Sequence, residues 1–170
     1  MQRGVVFLDR DGTLIDIEPY AHGSAQLTLL PGVVQQLQRL SRLDLALVIV
    51  SNQSGVGRGF ISVDDVWAVH HRLERELREC DVNISAGYYC YHAPWDVCAC
   101  RKPRPGLLNA AREELGLTAG LQFMVGDKTS DVLAGHAAGC TSYLVERFQD
   151  GGSSWRTIGD RIAEMLSNHE

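Results

Sequence analysis

The sequence predicts an α/β fold: a single Rossmann-like domain over residues 1–170, with a parallel sheet covered by helices on both faces. Three observations predict it. Apolar runs such as Gly4 to Leu8 and Leu45 to Val50 read as short buried strands. Segments of helical periodicity alternate with them along the chain. Clusters of polar residues follow the strands directly, where ligands sit in such sheets.

In chain order, Gly4 to Leu8 is the first strand. Pro31-Gly32 opens a helix whose apolar face is Val33, Val34, Leu37 and Leu40. Leu45 to Val50 is the second strand. Ser62, with Asp65 three residues on, forms a capping box. It starts a helix with the face Val66, Val69, Leu73 and Leu77. Tyr88 to Tyr91 is a third strand, and Leu107 to Leu115 a helix stopped by Gly116. Phe123 to Val125 is a strand, Ser130 to Ala138 a helix ended by Gly139, and Thr141 to Val145 a strand. Asp150 to Ser154 is a soft stretch before a C-terminal amphipathic segment. The fold uses up the intervening segments, so no large cap domain is expected.

A chain of 170 residues, 45% hydrophobic and 22% charged, is one globular domain able to bury a core without disulfide staples. The longest apolar run, Leu45 to Val50, is too short to cross a bilayer, and Met1 to Leu8 lacks the pattern of a signal peptide. A cytoplasmic monomer is expected. The net charge of −5 argues against a nucleic-acid or membrane-surface partner. Fourteen of the sixteen basic residues are Arg; the two Lys, Lys102 and Lys128, both sit beside chemical motifs.

Four polar clusters stand out. Asp9-Arg10-Asp11-Gly12-Thr13 follows the first strand, and its carboxylates at i and i+2 suit a site where one attacks or binds metal and the other handles a proton. Ser51-Asn52-Gln53-Ser54-Gly55 follows the second strand and offers donors to an anion. Lys102, stiffened by Pro103 and Pro105, is a candidate point charge for phosphate. Gly126-Asp127-Lys128-Thr129-Ser130-Asp131 places carboxylates at a strand end, where they can hold Mg²⁺ and leave room for phosphate.

A fifth cluster joins Cys90, His92, Cys98 and Cys100 within eleven residues. Three thiolates and an imidazole complete a closed tetrahedral shell, the pattern of structural Zn²⁺. Such a zinc loop would clamp the chain just before Arg101 and Lys102. Cys80 and Cys140 read instead as small hydrophobes.

In order and placement, the Asp pair, Ser51, Lys102 and Gly126-Asp127 resemble the four motifs of the haloacid-dehalogenase-like phosphohydrolases, over roughly residues 5 to 145. With the zinc loop between the second and third motifs, the sequence looks like the D-glycero-D-manno-heptose 1,7-bisphosphate phosphatase branch, whose nearest relative is histidinol phosphatase. Two features depart from the pattern: the His92–Cys98 gap is shorter than in many members, and Ser51 stands where Thr is common.

The resemblance implies phosphomonoester hydrolysis in two steps. Asp9 is the nucleophile, Asp11 the acid and then the base, and Ser51 and Lys102 stabilise charge on the transferring oxygens. It places Mg²⁺ on Asp9, Asp127 and the backbone carbonyl of Asp11, with Lys128 and Asp131 in support and Asp131 orienting Lys102 or a metal-bound water. Asn52, Arg101 and the segment Ile17 to Tyr20, including Glu18 and Tyr20, would touch substrate, and Arg58 is a candidate for a second phosphate. Arg58, Arg101 and Arg104 outnumber Glu18, the one nearby carboxylate outside the motifs, which favours a phosphorylated sugar carrying a second phosphate, cleaved at C7, over histidinol phosphate. Two other classes compete. A zinc-knuckle nucleic-acid module is disfavoured by the acidic charge, and an inactive scaffold by the intact Asp9, Asp11, Lys102 and Asp127.

Overall fold

The computed structural model describes residues 3–23, 25–146 and 151–169, with the side chains of 151–153 left aside. Five strands, β1 (Gly4–Leu8), β4 (Leu45–Asn52), β5 (Ala86–Cys90), β6 (Leu121–Gly126) and β7 (Thr141–Leu144), form one sheet in the order β5-β4-β1-β6-β7. Every neighbouring pair is parallel, with Gly4 opposite both Leu45 and Leu121. The chain runs outward from β1 through β4 and β5, then returns to lay β6 and β7 on the other side. The direction reverses between β1 and β6, and the carboxyl ends of strands beside such a reversal form a crevice.

The period-two alternation of strand side chains sorts the core into two layers. Val6, Leu8, Leu47, Ile49, Phe123 and Val125 pack under α1 (Val33–Arg42), α2 (Val63–Arg78) and α5 (Gly151–Ser167). Val5, Phe7, Val48, Val50 and Met124 point the other way, under α3 (Gly106–Glu114) and α4 (Thr129–Ala137). Both faces are therefore covered, as expected. The α2 capping box is present: the Ser62 hydroxyl accepts the Asp65 N–H, and Asp65 accepts the Ser62 N–H. Ser62→Ala should lower the unfolding free energy by about 1 kcal/mol, measured by urea denaturation; an unchanged midpoint would mean that the box adds nothing.

β6, α3, α4 and β7 differ from the sequence expectation by one or two residues at their ends, and four further details differ. β4 runs two residues further, so Ser51 and Asn52 end the strand rather than follow it. The third strand is Ala86–Cys90, earlier than Tyr88 to Tyr91. A small antiparallel pair, β2 (Ile15–Ile17) and β3 (Leu27–Leu29), lies between β1 and α1 and was not foreseen. The soft stretch is the start of α5 from Gly151 onward, while Asp150 lies outside the described residues. Trp155 anchors that helix: it is fully buried, and its indole N–H donates to the Thr13 carbonyl at 3.1 Å. No described helix is long and apolar enough to cross a membrane.

Candidate active site

The three strands at the middle of the sheet deliver the site. Asp9 extends β1 by one residue, its N–H donating to Val125 O of β6 at 2.9 Å. The chain then turns over Gly12, whose φ of 84° is a left-handed conformation suited to glycine. The turn leaves Asp9 5% exposed and Asp11 partly open to solvent. Ser51 and Asn52 close β4, and Asp127 follows β6.

Lys102 arrives from the loop before α3 and is buried. Its Nζ lies 2.8 Å from Asp9 Oδ1 and 2.6 Å from Asp131 Oδ1, and donates to Val50 O at 2.7 Å. All three ammonium protons thus have acceptors, the condition for burying a charge. Burial alone would raise Asp9, yet Lys102 beside it holds the carboxyl below the usual carboxylate range. Burial would likewise depress Lys102, but Asp9 and Asp131 hold it above its ordinary value. Asp131 also accepts the Lys128 N–H at 3.0 Å, capping α4, so each of its oxygens serves a protein donor. This geometry fits a role in orienting Lys102.

Oxygens of Asp9, Asp127 and Asp131 lie within 4.8 Å of one another. Burial and the charge of Asp9 push Asp127 up to about 6, the mark of anions crowded together, and Thr13 donates its hydroxyl to Asp127 at 3.3 Å. With both Asp131 oxygens engaged, Asp9 and Asp127 are the carboxylates left to meet a divalent cation. The donor set is all oxygen and suits Mg²⁺.

Above this floor lies an open cleft of about 310 Å³ lined by Asp11, Glu18, Tyr20, Asn52, Gln53, Asp127 and Lys128, among others. A deeper recess of about 40 Å³ is bounded by Asp9, Asp11, Ser51, Lys102, Lys128 and Asp131. Catalytic candidates thus line the recess, and Glu18 and Tyr20 the cleft wall, where Tyr20 meets Phe60 edge-on at 4.9 Å. Asn52 clamps the backbone of Lys102, donating to its carbonyl and accepting its N–H, both at 3.0 Å. Arg58 and Arg101 line neither cavity. Arg58 lies over the Trp95 ring, 5.3 Å from its centroid. Arg58 Nε and Arg101 Nη1 are buried atoms without a hydrogen-bond acceptor among the described residues. Arg104 is spent on the Cys98 carbonyl, at 2.6 Å.

Two site residues escaped the sequence reading. Arg10, 3% exposed, grips both Asp11 oxygens, at 2.7 and 3.2 Å. Gln53 donates to Asp11 Oδ2 at 3.0 Å and to Ser51 Oγ at 3.2 Å. Both lie inside quoted motifs; their signal was a polar side chain at a position that the strand ends bury.

The cysteine cluster closes on itself beside β5. Cys100 Sγ lies 3.1 Å from Cys90 Sγ and 3.3 Å from His92 Nδ1; Cys90 lies 3.5 Å from that nitrogen and 4.0 Å from Cys98 Sγ. Thiolates at 2.3 Å in a tetrahedron would stand about 3.8 Å apart, close to these spacings. Burial, with Cys100 beside it, pushes the Cys90 thiol up to about 12, so a cation is needed to keep it ionised. The set fits Zn²⁺.

Known proteins are similar to this chain. A HAD-hydrolase-like family model matches residues 99–154. D-glycero-beta-D-manno-heptose-1,7-bisphosphate 7-phosphatase of Pasteurella multocida (strain Pm70) is 39% identical, over 94% of this chain and 93% of that one. The enzyme of that name from Escherichia coli (strain K12) is 35% identical, over 84% of this chain and 78% of its own. The crystal structure of D,D-heptose 1,7-bisphosphate phosphatase from B. bronchiseptica, complexed with magnesium and phosphate, superposes with a TM-score of 0.80 at 26% identity, covering 95% of this chain and 99% of that one.

Proposed function

The chain belongs to the D-glycero-beta-D-manno-heptose-1,7-bisphosphate 7-phosphatase family of HAD-like hydrolases, and from that membership we propose that it removes the C7 phosphate of this sugar bisphosphate. The observation that carries the chemistry is the convergence of Asp9, Lys102 and Asp131 in one buried recess, with Asp127 beside them and an open cleft above.

A carboxylate oxygen of Asp9 attacks phosphorus, and the bond from phosphorus to the C7 oxygen breaks as an aspartyl-phosphate forms. Asp11 gives its proton to the departing alkoxide. It then takes a proton from water, whose oxygen attacks phosphorus; the bond to Asp9 breaks, and phosphate leaves. As the Asp9 carboxylate is converted to the aspartyl-phosphate, the Lys102 proton it held turns to the phosphoryl oxygens, and the Ser51 hydroxyl donates to them as well; such contacts contribute roughly 3–4 kcal/mol to the transition state. Asp9, Asp127 and the Asp11 carbonyl would hold Mg²⁺, which when bound screens carboxylate from phosphate. Asp131 and Asn52 keep Lys102 in place, and Glu18 and Tyr20 border the sugar.

The support for a heptose bisphosphate comes from the relatives rather than from a count of cations, because Glu18 lines the cleft while Arg58 and Arg101 do not. The deciding experiment compares kcat/KM for the heptose bisphosphate and for histidinol phosphate, with and without Mg²⁺. Phosphate release should require Mg²⁺ and favour the bisphosphate. A tenfold preference for histidinol phosphate, about 1.4 kcal/mol, would overturn the substrate and leave the mechanism standing.

Zinc should be separable from magnesium. Freshly purified reduced protein should carry about one Zn²⁺ per chain, and stripping it should lower both the melting temperature and activity, since ligation energy is folding energy for this loop. Activity lost to EDTA through Mg²⁺ should return on adding Mg²⁺ alone. Elemental analysis without zinc would end the assignment to Cys90, His92, Cys98 and Cys100.

A further inference from the structure

We propose that Tyr89, His70 and Glu74 are positioning residues for Asp11, acting through the buried Arg10. The inference rests on the reading of Asp11 as the acid and base of the reaction.

The chain of contacts begins at the Arg10 fork on Asp11. A third donor of the same guanidinium, Nη1, reaches Val66 O of α2 at 3.2 Å. Its remaining face lies against Tyr89, with the central carbon 5.5 Å from the ring centroid. The Tyr89 hydroxyl sits 2.6 Å from His70 Nδ1, and His70 Nε2 lies 3.4 Å from Glu74 Oε1. Tyr89 is 8% and His70 2% exposed, whereas Glu74 reaches the half-buried rim of α2. Gly87 makes the space: a Cβ there would stand 2.5 Å from His70 Cε1. A buried histidine given this room and two polar partners is more than packing.

We assign the ring proton of His70 to Nε2, the nitrogen that faces Glu74, which leaves Nδ1 as the acceptor. The Tyr89 hydroxyl must then donate to Nδ1, which turns its lone pairs toward the Arg10 guanidinium. Burial holds His70 below its ordinary range, consistent with one proton on the ring. Glu74 thereby sets the polarity that orients Arg10, and Arg10 leaves Asp11 one orientation in which to meet the leaving oxygen. Small displacements of a reacting group cost rate steeply.

The test uses leaving-group dependence. The first irreversible step needs a proton from Asp11 when the leaving group is a sugar alkoxide and needs none when it is nitrophenolate. Tyr89→Phe and His70→Leu should lower kcat/KM for the heptose bisphosphate by about tenfold more than for p-nitrophenyl phosphate. His70→Asn, which returns an acceptor near the Nδ1 position, should recover most of that difference. Asp11→Asn, run alongside, should show the same selectivity at about 100-fold or more. Equal losses on both substrates in the Tyr89 and His70 variants, or no recovery in His70→Asn, would overturn the positioning role. Absence of selectivity in Asp11→Asn would instead bring down the acid–base reading itself.

Discussion

Asp9→Asn is expected to leave below about 1% of wild-type turnover in a protein that melts within a few degrees of wild type, roughly the span of 1 kcal/mol. The amide is no nucleophile toward phosphorus and a poor ligand for Mg²⁺. It is isosteric, however, and its carbonyl can still accept from Lys102 Nζ, which keeps Asp131 as its second ion-pair partner. Removing one of three crowded carboxylates also relieves repulsion on Asp127. Phosphate release and thermal unfolding on the same preparation check both halves. Several percent of residual turnover would show that the attacking group lies elsewhere.

Lys102→Met should damage both stability and rate. The lysine is buried between two buried carboxylates, and deleting one partner of such a cluster costs about 3–5 kcal/mol, because the remaining charges stay uncompensated. Loss of the donor facing the phosphoryl group should lower kcat by about 100- to 1000-fold. The two effects separate in Lys102→Met with Asp131→Asn, which removes one of the stranded charges: stability should largely return and turnover should not. Urea denaturation and initial rates give the readings. A single variant as stable as wild type would mean that Lys102 is not the counter-ion of this cluster; recovered turnover in the double variant would mean that it does not meet the transition state.

The central strands and most of the site were legible because they follow the two rules a parallel sheet enforces: strands buried on both faces form apolar runs, and function gathers where they end. Gly4–Leu8, with Asp9 next, satisfies both. The missed pair β2 and β3 has three residues per strand, too few for an alternation to register. The start of β5 hid because Ala86 and Gly87 are small, the latter so that His70 can pack against it. Gly151 and Gly152 read as a break because glycine disfavours helices, while α5 owes its place to Trp155, Ile158, Ile162 and Leu166 in the core. Arg10 was the least visible. Between two aspartates it reads as a solvated spacer, and only the fold reveals that its partners are Asp11, Val66 and Tyr89.

The clamp of Asn52 on the Lys102 backbone bears on how such enzymes can diversify. The lysine is moored to β4 from two directions, by that amide and by Val50 O, independently of the metal loop that precedes it. Residues between His92 and Cys98 can therefore lengthen, shorten or be exchanged for another family member's loop without shifting the charge that meets phosphate. Grafting another loop between His92 and Cys98 should leave the way phosphate esters are cleaved unchanged, because the lysine keeps both of its moorings to β4.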